Sequence, residues 1–326
     1  MAPGEAGPEG PGRPSTFVIS ITPFAEDGAF DEVATRGHLR RMAAAGIGVY
    51  LGGGGSGEGY VLSADETQRL LQIGAEELKG KVPVRAMGVE PRTSGEMIEF
   101  MEVAASAGVD AAQIYSLDQG HGHRPNHDEI YRYFEDVLRA SAFPAVLSTH
   151  QSVGYQVPVG MLVEFADRFD HLIGINSSHQ DLGYLAAIID ALGDRLEIHV
   201  GGPQWGLTAL ALGATGYLSS EGNLAPHLCV GAINAYRDND ARRTGQLFGA
   251  LLRLSNTFYA AGGIRAIKII LNRLGLPGGF PRPPQMPVAE SAVPALLDTI
   301  ERLDIPAIEG WETARSSWAA AIREGQ

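Results

Sequence analysis

Two segments near the middle of the chain combine imidazole, hydroxyl and amide side chains at two-residue spacing. Ser148 and His150 occur at the end of one apolar run, and Asn176 and Ser178 occur at the end of the next, followed directly by His179. Side chains two residues apart on a β-strand point to the same face, so each pair can line one pocket. Histidine transfers protons near neutral pH, and an uncharged amide can polarise a carbonyl oxygen. The two segments therefore predict a pocket for acid–base chemistry. The alternative for each histidine is a position behind the pocket or on the surface, and the alternative for Asn176 is a polar side chain that only fills space.

A second candidate is the glycine-rich run from Gly52 to Gly59, which also contains Ser56 and Glu58. Consecutive glycines let backbone N–H groups approach a ligand closely, and such groups bind oxyanions. The run contains a formal G-x-G-x-x-G pattern, but a dinucleotide site requires that pattern after the first strand of an open sheet, and here it follows the second predicted strand. A tight turn without a ligand is the remaining interpretation.

The loop that begins at Asp118 is rich in histidine. His121 and His123 form a His-x-His pair, with His127 beyond, and such a pair could bind a divalent metal. The same loop is polar and rich in glycine, which is the composition of an exposed segment. Both interpretations remain open from the sequence.

A nucleophilic serine is a further hypothesis. Ser148 or Ser56 could combine with His150 and with Asp118 or Glu221 into a Ser-His-acid triad. Neither serine occurs in a G-x-S-x-G elbow, which counts against this arrangement.

Arg85 interrupts an otherwise apolar predicted strand, Val-Pro-Val-Arg-Ala-Met-Gly. A barrel strand is covered on both faces, so the guanidinium requires a partner, either a carboxylate of the protein or an anionic ligand. Glu58 and Glu221 are the loop acids expected to act as partners or proton carriers, and Tyr115 is a phenol close to the same pocket.

The elements that position these residues are short apolar runs alternating with helical segments. Strands are predicted to begin near Phe17, Gly46, Val82, Asp110, Phe143, Leu172, Leu196 and Thr215. Helices are predicted over 32–45, 64–78, 94–107, 127–141, 159–169, 181–193 and 204–213. Eight such units favour a (β/α)8 TIM barrel, with catalysis at the C-terminal ends of its strands. We expect a flexible tail over 1–15, the barrel over 16–226 and a helical region over 227–326.

Composition excludes several classes of protein. The chain of 326 residues carries 25 basic and 38 acidic side chains, a net charge of −13, so clustered Lys/Arg surfaces for nucleic acid or anionic membranes are not expected. The single cysteine, Cys229, excludes an intramolecular disulfide and a cysteine-rich metal site. No targeting or membrane-spanning segment is recognised, so we expect a cytoplasmic protein.

Several short motifs occur in a fixed order between residues 16 and 290. They are Thr22-Pro-Phe with Asp27-Gly28, Gly55-Ser-Gly-Glu58 with Leu62-Ser63 and Glu66, Gly108-Val-Asp110, Gly213-Ala-Thr-Gly216 with Asn223-Leu-Ala-Pro226, Ala266-Ile-Lys268, and Arg282-Pro-Pro. In this combination the chain resembles the dihydrodipicolinate synthase/N-acetylneuraminate lyase family. The resemblance implies a barrel with a C-terminal helical region, assembled as a homotetramer or homodimer. It also implies that Gly55 and Ser56 hold a substrate carboxylate.

The chain departs from that family where the resemblance implies a Schiff-base lysine. That lysine is expected at the end of the sixth strand in a Gly-Ile-Lys pattern, where this chain has Asn176. An amide has no basic amine and cannot form an imine. None of the three lysines, Lys79, Lys81 and Lys268, is expected to replace it.

The fifth strand departs from the family as well. The resemblance implies a proton-relaying tyrosine in a Tyr-Asn-x-Pro motif, where this chain has Ser148, Thr149 and His150. An arginine expected just after that motif falls at Val153, and a tyrosine pair expected after the fourth strand falls near Asp118. The residues that the family uses for imine chemistry are therefore absent.

We predict a lyase-superfamily enzyme that acts on a small polar, carboxylated substrate by acid–base chemistry without a Schiff base. Elimination, retro-aldol-type cleavage and isomerisation are all compatible. The expected catalytic residues are Asn176, His150, His179 and Ser148. The expected substrate-binding residues are Gly55, Ser56, Glu58, Arg85, Tyr115, Asp118, Ser178 and Glu221. No metal or cofactor is expected, and the alternatives are a non-catalytic ligand-binding barrel and a histidine-metal hydrolase.

Overall fold

Eight short strands, buried on both faces, pair in chain order and close into a parallel barrel. The computed structural model describes residues 13–311. The strands are β1 Ser15–Ile19, β2 Gly48–Leu51, β3 Val84–Ala86, β4 Ala111–Ile114, β5 Ala145–Thr149, β6 Leu172–Ser177, β7 Glu197–Gly201 and β8 Gly216–Ser219. Each begins within two residues of its predicted start, because continuous apolar runs are typical of strands that are covered on both faces. The predicted TIM barrel is confirmed.

Helices follow the strands and form the outer layer. They are α1 Glu32–Ala45, α2 Ala64–Leu78, α3 Ser94–Ala107, α4 His127–Ala140, α5 Val159–Arg168, α6 Leu182–Leu192, α7 Pro203–Leu212 and α8 Pro226–Arg237. Capping boxes fix two helix starts, Ser63 with Glu66 on α2 and Asn126 with Glu129 on α4. No helix within residues 13–311 is long and apolar enough to cross a bilayer.

The C-terminal helices are α9 Ala241–Ala260, α10 Ile264–Arg273, α11 Val293–Arg302 and α12 Ile305–Ile308. Helix α8 packs against α1 and β1 and so completes the outer ring of the barrel. We therefore propose a domain boundary after Arg237 rather than at residue 227, since two consecutive helices give no compositional break at that point. Most of the expected tail over 1–15 lies outside the described residues.

Strand register decides which polar side chains become neighbours. Ser148 on β5 lies opposite Asn176 on β6, and Asn176 lies opposite His199 on β7. Alternation along each strand then brings side chains two residues further on to the same face, at the C-terminal rim of the barrel. The candidate residues of β5 and β6 thus meet at the end of the barrel where TIM-barrel enzymes hold their substrates.

Candidate active site

A cavity of about 70 Å³ opens at the C-terminal ends of the strands, and we call it the central cavity. Its polar lining consists of Gln113, Tyr115, Ser148, His150, Asn176, Ser177 and Ser178, and Ile19, Met87 and Leu218 are among its apolar walls. The predicted grouping of Ser148, His150, Asn176 and Ser178 is therefore present.

Asn176 forms part of the cavity floor and is only 4% exposed. Its amide nitrogen donates to the Tyr50 hydroxyl at 3.1 Å and to Gln113 Oε1 at 2.6 Å. Both N–H hydrogens are therefore used within the protein, whereas Oδ1 is buried without a partner among the described residues. The expectation that Asn176 donates to a substrate carbonyl is not supported by this geometry. The atom that remains available is an acceptor, which suits a hydroxyl or another donor.

His150 lies at the cavity rim and contacts a serine and a carboxylate. Its Nδ1 is 2.5 Å from Ser152 Oγ, and Ser152 Oγ donates to Glu90 Oε1 at 3.1 Å. Glu90 Oε1 itself is 3.6 Å from Nδ1. Burial lowers the pKa of His150, and the Glu90 carboxylate opposes that shift. The imidazole is therefore largely neutral at pH 7, which is the form required of a general base.

His179 follows β6 and lies beside His150. Its ring contacts the ring of Tyr184 edge to face at 5.5 Å, and its Nε2 is buried without a partner among residues 13–311. Burial lowers the pKa of His179, and the neighbouring His150 lowers it further. The two imidazoles are thus close enough to influence each other, and neither favours the charged form.

Three other predicted residues line the central cavity, and they differ in the contacts that they already make within the protein. The Ser178 hydroxyl accepts a hydrogen bond from Gln151 N at 2.9 Å, so it joins the loops after β5 and β6. Tyr115 packs edge to face against His150 at 5.5 Å. Ser148 makes no side-chain hydrogen bond within the described part of the chain, so its hydroxyl can donate to a ligand.

Arg85 is buried deeper in the barrel and does not line the central cavity. Its guanidinium forms an ion pair with Glu197 at 2.8 Å and lies over the ring of Phe17 at 4.5 Å. Burial opposes the charge, but Tyr50 and Glu197 together raise the pKa of Arg85. Of the two partners left open by the sequence, the structure provides the protein carboxylate, so Arg85 is held by Glu197 and is not directed at the central cavity.

Glu58 is also engaged within the protein. Its carboxylate, 1% exposed, forms an ion pair with Lys268, whose ammonium also donates to the carbonyls of Thr22 and Phe280 at 2.9 Å each. Burial lowers the pKa of Lys268, and Glu58 opposes this shift. The pair ties the loop after β2 to α10, so Glu58 is not placed to meet a substrate in the central cavity.

Gly55, Ser56 and Glu221 line a second cavity of about 240 Å³ between the loops after β2 and β8 and the helices α9 and α10; we call it the lateral cavity. The Ser56 hydroxyl bonds to that of Ser220 at 2.7 Å. An added Cβ at Gly57 would lie 2.7 Å from the Gly53 nitrogen, so glycine is required there because the loop folds onto itself. Ser56 is consequently turned away from the central cavity, and the expected grouping with His150 is not formed.

Asp118 and its histidine-rich loop lie apart from both cavities. The Asp118 carboxylate pairs with Arg92 at 2.9 Å and accepts from Gly120 N, and His121 and His123 are exposed. Among residues 13–311, no three His, Cys, Asp or Glu side chains come together as a metal site would require. The triad hypothesis also finds no support, because the serine that contacts His150 is Ser152 and its hydroxyl is directed to Glu90.

Sequence reasoning missed four contributors to the site, namely Tyr50, Gln113, Glu90 and Ser152. Gln113 could have been found, because it precedes Tyr115 by two residues and shares its strand face. Tyr50 could have been found in the same way, two residues before the glycine run. Glu90 and Ser152 lie in loops, where no periodicity indicates the direction of a side chain.

A sequence profile described as the dihydrodipicolinate synthetase family matches residues 14–303. The chain belongs to this family. Similar proteins include the 4-hydroxy-tetrahydrodipicolinate synthases of Methanopyrus kandleri, 26% identical over 87% of this chain and 94% of that protein, and of Hyphomonas neptunium, 29% identical over 85% and 94%. Among solved structures, dihydrodipicolinate synthase DapA-2 from Bacillus anthracis is 21% identical with a TM-score of 0.81, covering 88% of this chain and 97% of that one. YagE of E. coli K12, a family member solved in complex with pyruvate, is 23% identical with a TM-score of 0.81, covering 90% and 99%.

This member of the dihydrodipicolinate synthetase family has no lysine in its central cavity. Its three lysines all lie within the described residues. Lys79 donates to the carbonyl of Gly108 and Lys81 to that of Glu77, at the opposite end of the barrel, while Lys268 is held by Glu58. The floor position at the end of β6 is occupied by the Asn176 amide.

Proposed function

We propose that this protein is a lyase-type enzyme that moves a proton on a small hydroxy or oxo acid without forming an imine. Membership of the dihydrodipicolinate synthetase family supports a lyase in general. The observation that carries the finer proposal is the contact of His150 with Ser152 and Glu90 at the rim of a cavity whose floor is an amide. Elimination, retro-aldol-type cleavage and isomerisation through an enol all require this type of proton transfer.

His150 is the proposed acid–base group. His150 Nδ1 accepts from the backbone N–H of Ser152 at 3.3 Å and lies 2.5 Å from Ser152 Oγ. In the tautomer in which Nδ1 carries the proton and donates to Ser152 Oγ, Nε2 is unprotonated and can accept a proton from a substrate. Glu90 favours the imidazolium that results, because an adjacent carboxylate stabilises the charged form. His179, beside it, is the second group able to exchange a proton at this rim.

Ser148 and Asn176 would bind the substrate on either side of the reacting carbon. The Ser148 hydroxyl is free to donate to an oxygen that gains negative charge, as in an oxyanion hole. Asn176 Oδ1 is free to accept from a substrate hydroxyl, and leaving that buried acceptor without a partner is unfavourable. The site thereby favours a substrate that presents both an acceptor and a donor.

The carboxylate of the substrate is inferred from the family resemblance. No arginine or lysine lines the central cavity within the described residues, so the carboxylate would be met by neutral donors of the lining such as the Ser178 hydroxyl. We further propose a cytoplasmic homotetramer or homodimer that requires no cofactor.

The test is deuterium exchange at C3 of pyruvate, 2-oxobutyrate and 4-hydroxy-2-oxobutyrate, followed by proton NMR in D2O. We expect the wild-type protein to accelerate exchange with at least one of these probes. His150→Ala should lower the rate at least about a hundredfold, since general acid–base groups typically contribute that much. His127→Ala, which changes an exposed imidazole on α4, should leave the rate unchanged.

Two outcomes would contradict the proposal. Full exchange activity in His150→Ala would remove His150 from the mechanism, and no exchange with any probe would favour the non-catalytic ligand-binding barrel. Borohydride reduction in the presence of pyruvate tests independently whether the protein forms an imine with the substrate. We expect no covalent adduct by mass spectrometry, and an adduct on Lys79, Lys81 or Lys268 would restore Schiff-base chemistry.

A further inference from the structure

The lateral cavity combines apolar walls with one buried carboxylate. Phe258, Ile264 and Ile267 from α9 and α10 form much of its surface, and Tyr259 borders it where it opens to solvent. Its volume of about 240 Å³ is more than three times that of the central cavity. Such a space accommodates a small organic group rather than a single ion.

Glu221 is the charged group in this cavity, and it is only 3% exposed. One carboxylate oxygen, Oε2, accepts from Ser219 Oγ at 2.9 Å. No lysine, arginine or histidine lies among the lining residues in the described part of the chain. The nearby Lys268, next to Ile267 on α10, is already paired with Glu58. The carboxylate therefore faces the cavity without a counter-charge from the lining.

The negative charge of Glu221 influences the ionisation of neighbouring groups. Burial raises the pKa of the Cys229 thiol to about 12, and Glu221 contributes to this shift by disfavouring a second negative charge. An anion held by Gly55 and Ser56 on the same cavity wall would be repelled in the same way. The electrostatics of this cavity thus select against a carboxylate and in favour of a cation.

We propose that the lateral cavity binds the ammonium end of an organic amine, with Glu221 as its ion-pair partner. A buried carboxylate without a counter-charge is costly, and a cation that enters the cavity relieves that cost. The rings of Phe258 and Tyr259 offer the faces against which alkyl ammonium groups are stabilised, and the hydroxyls of Ser56 and Ser220 can accept the remaining N–H groups. Amine binding here is independent of the acid–base role of His150, since the two cavities have no lining residue in common.

Calorimetric titration with 2-phenylethylammonium and with its neutral analogue 2-phenylethanol tests the site. We expect the wild-type protein to bind the ammonium at least about tenfold more tightly than the alcohol, which corresponds to about 1.4 kcal/mol. Glu221→Gln should abolish this preference while keeping an acceptor for Ser219. Ile264→Trp should weaken the binding of both probes, because the indole occupies the cavity.

The net charge of −13 attracts any cation, so a matched control is needed. Glu102→Gln removes one exposed carboxylate from α3 and should leave the ammonium affinity unchanged. Equal affinity of the wild-type protein for the ammonium and the alcohol, or no binding of either, would overturn the proposal even if Glu221→Gln failed to fold. Retention of the ammonium preference in both Glu221→Gln and Ile264→Trp would overturn it as well.

Discussion

Two layers of the barrel interior contain polar side chains in different arrangements. Nearer the N-terminal ends of the strands, Arg85 and Glu197 form an ion pair at 2.8 Å, and His199 bonds to Ser15 at 2.8 Å; we call this the charged layer. At the C-terminal ends, Asn176 and His150 surround a cavity of about 70 Å³. In the charged layer the two opposite charges pair with each other, whereas in the central cavity Asn176 Oδ1 has no partner within the described residues.

The difference separates residues that maintain the barrel from residues that can act on a ligand. In the charged layer each ionised group is matched, and the Phe17 ring covers the guanidinium at 4.5 Å. In the central cavity Asn176 Oδ1 and Ser148 Oγ remain available, and burial lowers the pKa of His150. Burial of a polar group alone therefore does not identify a functional residue in this barrel, and the residues that we propose as functional are those buried without a partner beside a cavity.

The largest expected effect comes from breaking the charged layer. Arg85→Met or Glu197→Met leaves a buried charge without its partner, and we expect either change to lower the free energy of unfolding by about 3–5 kcal/mol. Urea denaturation of the purified variants measures this loss.

The double variant Arg85→Met/Glu197→Met provides the control. It leaves no unpaired charge, so its loss should be clearly smaller than the sum of the two single losses. Losses that simply add would mean that the two charges do not depend on each other, and the charged layer would not be a paired unit.

A second expected effect concerns the pH dependence of stability. Burial, with Arg85 nearby, lowers the pKa of His199 to about 3. The unfolded chain takes up a proton near pH 6.5, so the contribution of neutral His199 is complete above that pH and is lost as the pH falls toward 3. Between pH 7 and pH 5 this residue should cost about 2 kcal/mol of stability.

His199→Gln removes this titration and retains a donor for Ser15. The free energy of unfolding of the variant should fall by about 2 kcal/mol less than that of the wild-type protein between pH 7 and pH 5. Other histidines titrate in both proteins and cancel in the comparison. Identical pH slopes would show that His199 takes up a proton in the folded chain over the same pH range as in the unfolded chain, which would contradict a closed charged layer.

Sequence patterns predicted the parts of both layers that depend on strand periodicity. Alternation placed Ser148 with His150 and Asn176 with Ser178 correctly, because the direction of a strand side chain follows from its position. The partner of Arg85 lies on β7, far along the chain, and strand pairing around a closed barrel cannot be derived from local composition. Ser56 was misplaced for a related reason, since the loop after β2 folds onto itself through close backbone contacts at Gly57.

The smallest expected effect is that of Glu90 on the pKa of His150 at the rim of the central cavity. Glu90 Oε1 is 3.6 Å from His150 Nδ1 and opposes the lowering of the His150 pKa by burial. Glu90→Gln removes the charge that favours imidazolium, so the pKa of His150 should fall further. An acid–base reaction that needs neutral His150 should then lose activity only at a lower pH than in the wild-type protein.

NMR titration of the His150 Cε1–H resonance, assigned with His150→Gln, measures the shift without requiring a substrate. Glu102→Gln should leave the pKa unchanged. An unchanged or raised pKa in Glu90→Gln would mean that the carboxylate does not act on the imidazole, and the rim would then resemble the inert charged layer more than a site for proton transfer.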